Sequence, residues 1–177
     1  MISVIDLHAG PAAGFDEPFE MLAACHQRVE RTLNLLERLS VHLTEHDIDA
    51  QAQQAARDVM RYFDLAAPQH HEDEERHVMP VLRQHGHAAL ADRLAAEHGL
   101  MHAAWTGVRA ALLEVVQGRW YADEDAAMAS RWHDFASLYR SHIEIEEREA
   151  YPAAAGQIDT VGLRAMGTEM ARRRGAR

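Results

Sequence analysis

The chain has 177 residues, 47% of them hydrophobic, which is enough for one domain with a single continuous core. Its formal net charge of −10 argues against nucleic acid as a partner, because the negative protein would repel the phosphates. No uncharged apolar run of about 18 residues occurs, so no membrane span is expected. The first residues lack the pattern of a secretory signal, and Cys25 is the only cysteine, so we expect a cytoplasmic protein without disulfides.

Helices are predicted along the whole chain after an irregular N-terminal arm at residues 1–15. The first helix is expected at about residues 16–44, where the segment Asp16-Glu17-Pro18 supplies a capping acid and a proline near the first turn. The second is expected at about residues 49–82, where apolar residues recur at helical spacing. Pro68 lies inside this second helix and should kink or interrupt it.

Three more helices complete the prediction, at about residues 88–116, 123–151 and 159–173, and no strand pattern is found. Short loops between four long helices favour antiparallel neighbours. We therefore predict an all-α, up-down-up-down four-helix bundle at residues 16–155. Residues 156–177 are expected to form an additional short C-terminal helix, packed outside the bundle, and a basic tail.

The most informative feature is an internal repeat with an offset of 72 residues. The segment HHEDEE at residues 70–75 returns as HIEIEE at residues 142–147, and each copy is followed by a proline. The chain is thus two copies of one unit, and a pseudo-two-fold axis along the bundle would relate them. Other pairs at this offset are His26 with His98, Phe63 with Phe135, and Glu30 with His102.

Histidine and carboxylate at positions i and i+4 of a helix lie on one face, about one turn apart. Imidazole suits iron, copper and zinc, whereas carboxylates can bridge two ions. Inward-facing copies of this pattern therefore predict a site for two metal ions. The predicted ligands are His26, His70, Glu74, His98, His102, His142 and Glu146.

These motifs resemble the hemerythrin-like, HHE cation-binding family over roughly residues 16–155. Ferritin-like di-iron bundles use Glu-x-x-His instead, which is absent from matching repeat positions of this chain. The resemblance implies a four-helix bundle that holds two iron ions, as an oxo- or hydroxo-bridged di-iron centre, through five histidines and two bridging carboxylates. Family members bind or sense dioxygen, handle nitric oxide or peroxide, or sense and hold iron.

Several assignments stay open at this level. Hemerythrins often place the last carboxylate five residues after its histidine, which makes Glu147 an alternative to Glu146. Some members keep only the first histidine of the third helix, which leaves His102 open, and Glu30 is allowed by repeat symmetry. Residues 71 and 75 are expected outside the ligand set, as partners that orient ligands, and Asp73 on a solvated charged face.

Three functions fit these residues. The first is a soluble protein that binds dioxygen or a related small oxidant as carrier, store or sensor. The second is an enzyme that acts on peroxide or nitric oxide or repairs iron centres. The third is a bundle that stores iron or zinc or holds it for stability. Spacing alone does not separate them, and the oligomeric state is not indicated.

Overall fold

The computed structural model describes residues 14–120 and 125–176. The predicted arm falls almost entirely on residues 1–13, outside the described part, as do residues 123 and 124 at the predicted start of the fourth helix. No strand occurs in the described ranges. The helices are α1 Pro18–Glu45, α2 Ala50–Arg61, α3 Ala67–His77, α4 Met79–Gln84, α5 Ala88–Val116, α6 Asp125–Ile145, α7 Tyr151–Ala155 and α8 Thr160–Arg173. Two π-helical segments, Tyr62–Ala66 and Glu146–Ala150, join α2 to α3 and α6 to α7.

The four long helices α1, α2, α5 and α6 are arranged in a ring in which each packs against two others. Helix α1 packs against α2 and α6, and α5 packs against the same two helices. One end of the bundle combines the start of α1, helix α4, the start of α5 and helix α7 in a common apolar cluster. Consecutive long helices therefore run antiparallel, and the predicted bundle with a short C-terminal helix is confirmed.

Two apolar clusters fill the interior, one toward each end of the bundle. The larger contains the matched pair Phe63 and Phe135, whose ring centroids lie 5.1 Å apart, together with Trp105 and Trp132. The smaller is built around Leu22, Met79, Leu82, Leu94 and Met170. The buried histidine and glutamate side chains come from helix segments between these two clusters, so apolar packing positions the polar centre.

Prolines and π-helical turns interrupt the ligand-bearing helices. Proline cannot donate to the helix ladder and clashes with the carbonyl four residues back. Pro68 follows the π-helical segment Tyr62–Ala66, which confirms the predicted interruption just before His70. Pro80 follows the break between α3 and α4, and Pro152 follows the second π-helical segment. π-helical turns are frequent at functional sites, and the second one begins at Glu146.

Helix ends agree with the sequence at several positions. Asp49 caps α2, since its side chain accepts a hydrogen bond from the amide of Ala52 at 2.7 Å. Asp159 caps α8 in the same way. Gly86 has a φ of 87°, which favours glycine after α4. At the start of α1 the predicted acid does occupy the cap position, as Glu17, but it makes no side-chain capping bond, and Pro18 begins the helix.

The C-terminal helix α8 is fastened to α3 by charged side chains. Asp73 is fully buried and binds Arg173 and Arg174. His77 lies 2.8 Å from Glu169, also on α8. The prediction of a solvated Asp73 is therefore wrong, because the C-terminal helix covers this position. The ion pairs fix the segment of α3 that carries Glu74.

Gly167 packs directly against the chain entering α1. A Cβ atom built at this position would overlap the carbonyl group of Phe15, a backbone atom that cannot rotate away. We expect Gly167→Ala to lower the free energy of unfolding by about 1–3 kcal/mol, the usual cost of overpacking. The matched control is Gly99→Ala on α5, where a Cβ meets nothing within 4 Å and helix propensity should stabilise the protein. Urea denaturation measures both, and a Gly167→Ala variant as stable as the parent would contradict the contact.

Candidate metal centre

Six of the seven predicted ligands converge in the middle of the bundle. They form two groups, and within each group the candidate ligand atoms all lie within 4.8 Å of one another. All six residues are buried, none with more than 4% of its surface exposed. Half-site one contains His26, His70, Glu74 and Glu146; half-site two contains Glu74, His98, His142 and Glu146.

Both glutamates reach the two half-sites at once. One oxygen of Glu74 lies 3.2 Å from His70 Nε2, and the other lies 3.5 Å from His98 Nε2. Glu146 repeats this arrangement with one oxygen 3.0 Å from His142 Nε2 and the other 3.2 Å from His26 Nε2. The carboxylates thus lie between the half-sites, where each can offer one oxygen to either of two ions.

Three of the four histidines have a carboxylate on the outward ring nitrogen. His26 Nδ1 lies 3.0 Å from Glu147, and His98 Nδ1 lies 2.9 Å from Glu75, which is the matched pair in the repeat. His142 Nδ1 lies 2.7 Å from Glu97. Such partners fix the ring orientation and make the inward nitrogen a stronger donor.

The fourth histidine, His70, differs from the others. Its Nδ1 atom is buried and has no hydrogen-bond partner among the described residues. The neighbouring ring of His71 instead stacks on His98, with centroids 4.0 Å apart and planes inclined by 9°. His71 and Glu75 therefore surround the ligand set and do not belong to it, as the sequence suggested.

The structure does not bring His102 or its repeat counterpart Glu30 to the cluster. His102 is exposed on α5, although it follows His98 by four residues. The inward stripe of this helix continues from His98 to Met101 and Trp105. The buried residues Leu94, Met101 and Trp105 all lie on one side of His98 around the helix. His102 lies on the opposite side of His98 and therefore faces solvent. Glu30 is drawn outward by an ion pair with Arg140 at 3.1 Å.

Tyr151 enters the centre without having been predicted. Its hydroxyl group lies 3.1 Å from His26 Nε2 and hydrogen-bonds to Glu74. The ring is buried and stacks on His26 with an interplanar angle of 11°. The repeat places Met79 at the matched position, so the symmetry that revealed the other residues gave no signal here.

Charges in the metal-free centre are set by burial and by the glutamates. Burial alone would lower the pKa of His98, but Glu74 and Glu75 raise it to about 9. The pKa of His26 is likewise raised well above its ordinary value by the surrounding carboxylates, against the effect of burial. The pKa of Glu74 is well below its usual range, because the adjacent histidines outweigh the effect of burial.

The pKa values of His142 and His70 shift in opposite directions. Against the effect of burial, Glu146 and Glu97 raise the pKa of His142. Burial lowers the pKa of His70 to about 3, since this ring has no outer carboxylate. The metal-free centre therefore favours the protonated forms of His26, His98 and His142 and keeps His70 neutral.

A surface groove of about 550 Å³ leads toward one side of the centre. It lies between α1 and α6, and its lining includes His26, Glu147, Arg31 and Arg140. Glu147 is 47% exposed, so it links solvent to the buried ring of His26. The groove therefore brings solvent to a candidate ligand, His26.

The donor set fits a metal centre. One oxygen of Glu74 and one of Glu146 are buried and accept no hydrogen bond within the described residues. Buried carboxylate oxygens without partners are costly unless a cation or proton satisfies them. The four imidazoles suit ions of the first transition row. The two carboxylates each reach both half-sites, so the set suits two such ions.

The fold and this centre together define a cation-binding four-helix bundle. The family model of the hemerythrin HHE cation binding domain matches residues 17–154, and the chain belongs to this family. An uncharacterized protein of Haemophilus influenzae is 31% identical over 137 residues, which cover 76% of this chain and 77% of that protein. No helix in the described ranges is long and apolar enough to cross a membrane.

Proposed function

We propose that residues 16–155 hold two iron ions and bind dioxygen or a related small oxidant, as a carrier, store or sensor in the cytoplasm. The observation that carries this proposal is the position of Glu74 and Glu146, each with one oxygen directed to either half-site. The ligands would be His26, His70, Glu74, His98, His142 and Glu146. Family membership and the imidazole-rich donor set support iron.

An iron pair supplies electrons that a small oxidant accepts reversibly. The protein's own part is to place the donors, to exclude water and to limit proton supply. Phe63 and Phe135 belong to the apolar cluster on one side of the centre, and Met79 and Leu82 to the cluster on the other. Such dry walls slow proton delivery and unwanted hydrolysis. Peroxide or nitric oxide could reach the same donors, which is why turnover must be measured separately.

Anaerobic reconstitution is expected to give about two iron ions per chain, because each of two half-sites offers four donors. Metal analysis after desalting gives the stoichiometry. A value that stays near one would mean that only one half-site holds iron. A chain that rejects iron but retains zinc would support the storage or structural alternative.

Optical spectra of the reconstituted protein test the proposed activity. We expect charge-transfer absorption in air that reductant bleaches and oxygen restores over repeated cycles. Gas evolution from added peroxide, or consumption of nitric oxide with turnover, would instead favour the enzyme alternative. The variant His102→Ala is the matched control, because His102 is exposed outside both half-sites and should leave the spectra unchanged.

A further inference from the structure

The repeat maps half-site one onto half-site two residue by residue, and the distances show how closely. The pairs His70–Glu74 and His142–Glu146 measure 3.2 and 3.0 Å between facing nitrogen and oxygen atoms. The correspondence extends to the outer partners of the histidines, because Glu147 beside His26 matches Glu75 beside His98. Departures from the symmetry therefore identify where the two half-sites differ chemically.

Two of these departures among the described residues affect half-site one. Glu97 binds His142 from outside, but the residue at its matched position is Cys25, and Nδ1 of His70 has no partner among the described residues. Tyr151 contacts half-site one, whereas its matched position is occupied by Met79, which has no hydroxyl group. Half-site one thus lacks one outer carboxylate and has one additional oxygen donor.

The hydroxyl oxygen of Tyr151 lies beside two candidate metal-ligand atoms. Its hydroxyl oxygen lies 3.1 Å from His26 Nε2 and is hydrogen-bonded to the Glu74 oxygen, and those two atoms are 3.9 Å apart. Ligand atoms bonded to one ion at about 2.0–2.2 Å are separated by roughly 3–4 Å. The distances from His26 Nε2 to the phenol oxygen and to the Glu74 oxygen fall in this range, and the phenol oxygen is hydrogen-bonded to Glu74. An ion that takes the lone pair of His26 would therefore also meet the phenol oxygen.

The tyrosine ring is held in this place from both sides. It stacks on His26 with ring centroids 5.4 Å apart and meets Phe19 edge-on at 5.8 Å. Tyr151 is only 6% exposed, so its hydroxyl group cannot turn toward bulk water. A buried hydroxyl group between two candidate ligands is therefore within reach of an ion in half-site one, either as a ligand or as a hydrogen-bond donor to Glu74.

We propose that Tyr151 is a metal ligand that supplies its phenol oxygen to the iron ion of half-site one. This inference rests on the proposed iron pair. Binding of the ion displaces the phenol proton, which is released to solvent as with other protic ligands. Half-site one then has five protein donors and half-site two has four, so the small oxidant binds at half-site two.

The test is the colour of the ferric protein. An iron(III)–phenolate bond gives a visible charge-transfer band, and excitation into this band enhances tyrosinate vibrations in the resonance Raman spectrum. We expect both signals in the iron-loaded parent protein and neither in Tyr151→Phe. Binding of one of the two ions should also weaken by at least about 10-fold in that variant.

The matched control is the triple variant Y62F/Y121F/Y139F, which leaves Tyr151 as the only tyrosine of the chain. Retention of both signals in this variant assigns them to Tyr151 even if Tyr151→Phe does not fold. A parent protein that holds two iron ions without tyrosinate vibrations overturns this inference and leaves the proposed function intact. A parent protein that binds no iron pair overturns both.

Discussion

Replacing Glu146 by alanine is expected to release at least one of two bound iron ions, a larger effect than the loss of any single histidine. The side chain is buried and places its oxygens 3.0 Å from His142 Nε2 and 3.2 Å from His26 Nε2. A carboxylate shared by two ions also offsets their mutual repulsion. Iron per chain, measured after desalting of the reconstituted variant, should fall from about two to one or fewer.

The neighbouring substitution Glu147→Ala is the informative comparison. Glu147 is 47% exposed, and among the described residues its carboxylate pairs with the outer nitrogen of His26, at 3.0 Å. Loss of such an outer partner typically weakens metal binding by about 10–100-fold without removing the site. Glu144→Ala, on an exposed residue paired with Arg148, controls for lost surface charge. If Glu146→Ala keeps both ions and Glu147→Ala loses them, the carboxylate five residues after His142 is the ligand.

Repeat symmetry predicts much of the candidate centre, because both copies of the unit place matched residues on inward helix faces. It identified the pairs His26 with His98, and Glu74 with Glu146, before any coordinates. It also ranked Glu146 above Glu147, consistent with the burial of the former and the exposure of the latter. Periodicity likewise predicted the bundle, since the apolar stripes of four long helices have one packing solution with short loops.

Repeat symmetry does not predict the centre where tertiary packing decides which residue faces inward. His102 was included because it follows His98 by one turn, but Met101 occupies the inward position on α5. Tyr151 has no matched tyrosine, so its role depends on the contact with His26 that only the folded chain creates. Asp73 looks solvent-facing in the sequence, and the covering helix α8 is separated from it by about 100 residues.

The largest effect on stability is expected from removal of the metal. The metal-free protein should remain helical, since two apolar clusters support the fold independently of the centre. Its melting temperature should nevertheless drop, because four histidines and two glutamates stay buried without the cation that satisfies them. Circular dichroism melts with and without chelator measure this loss. An unchanged melting temperature would mean that the buried polar residues do not serve a metal.

The metal-free protein should also acquire a pH dependence that the iron-loaded protein lacks. The pKa of His98 is raised to about 9 by Glu74 and Glu75, so its protonated form stabilises the fold. That contribution is fully present below the unfolded-state value of about 6.5 and is lost as pH rises through about 9. His26 and His142 shift in the same direction, while His70 shifts oppositely and costs stability only as pH falls below about 6.5.

The metal-free melting temperature should therefore be lower at pH 9 than at pH 6.5. The shift at His98 alone corresponds to roughly 3 kcal/mol, or about 6–12 °C for a chain of this size. His98→Gln should reduce the difference between the two pH values, with His26 and His142 supplying the remainder. His102→Gln, at an exposed position on the same helix, should leave the difference unchanged. In the iron-loaded protein the histidines are neutral ligands, so their protonation no longer tracks folding over this range. A metal-free protein that melts at the same temperature at both pH values would show that its glutamates are not balanced by protonated histidines.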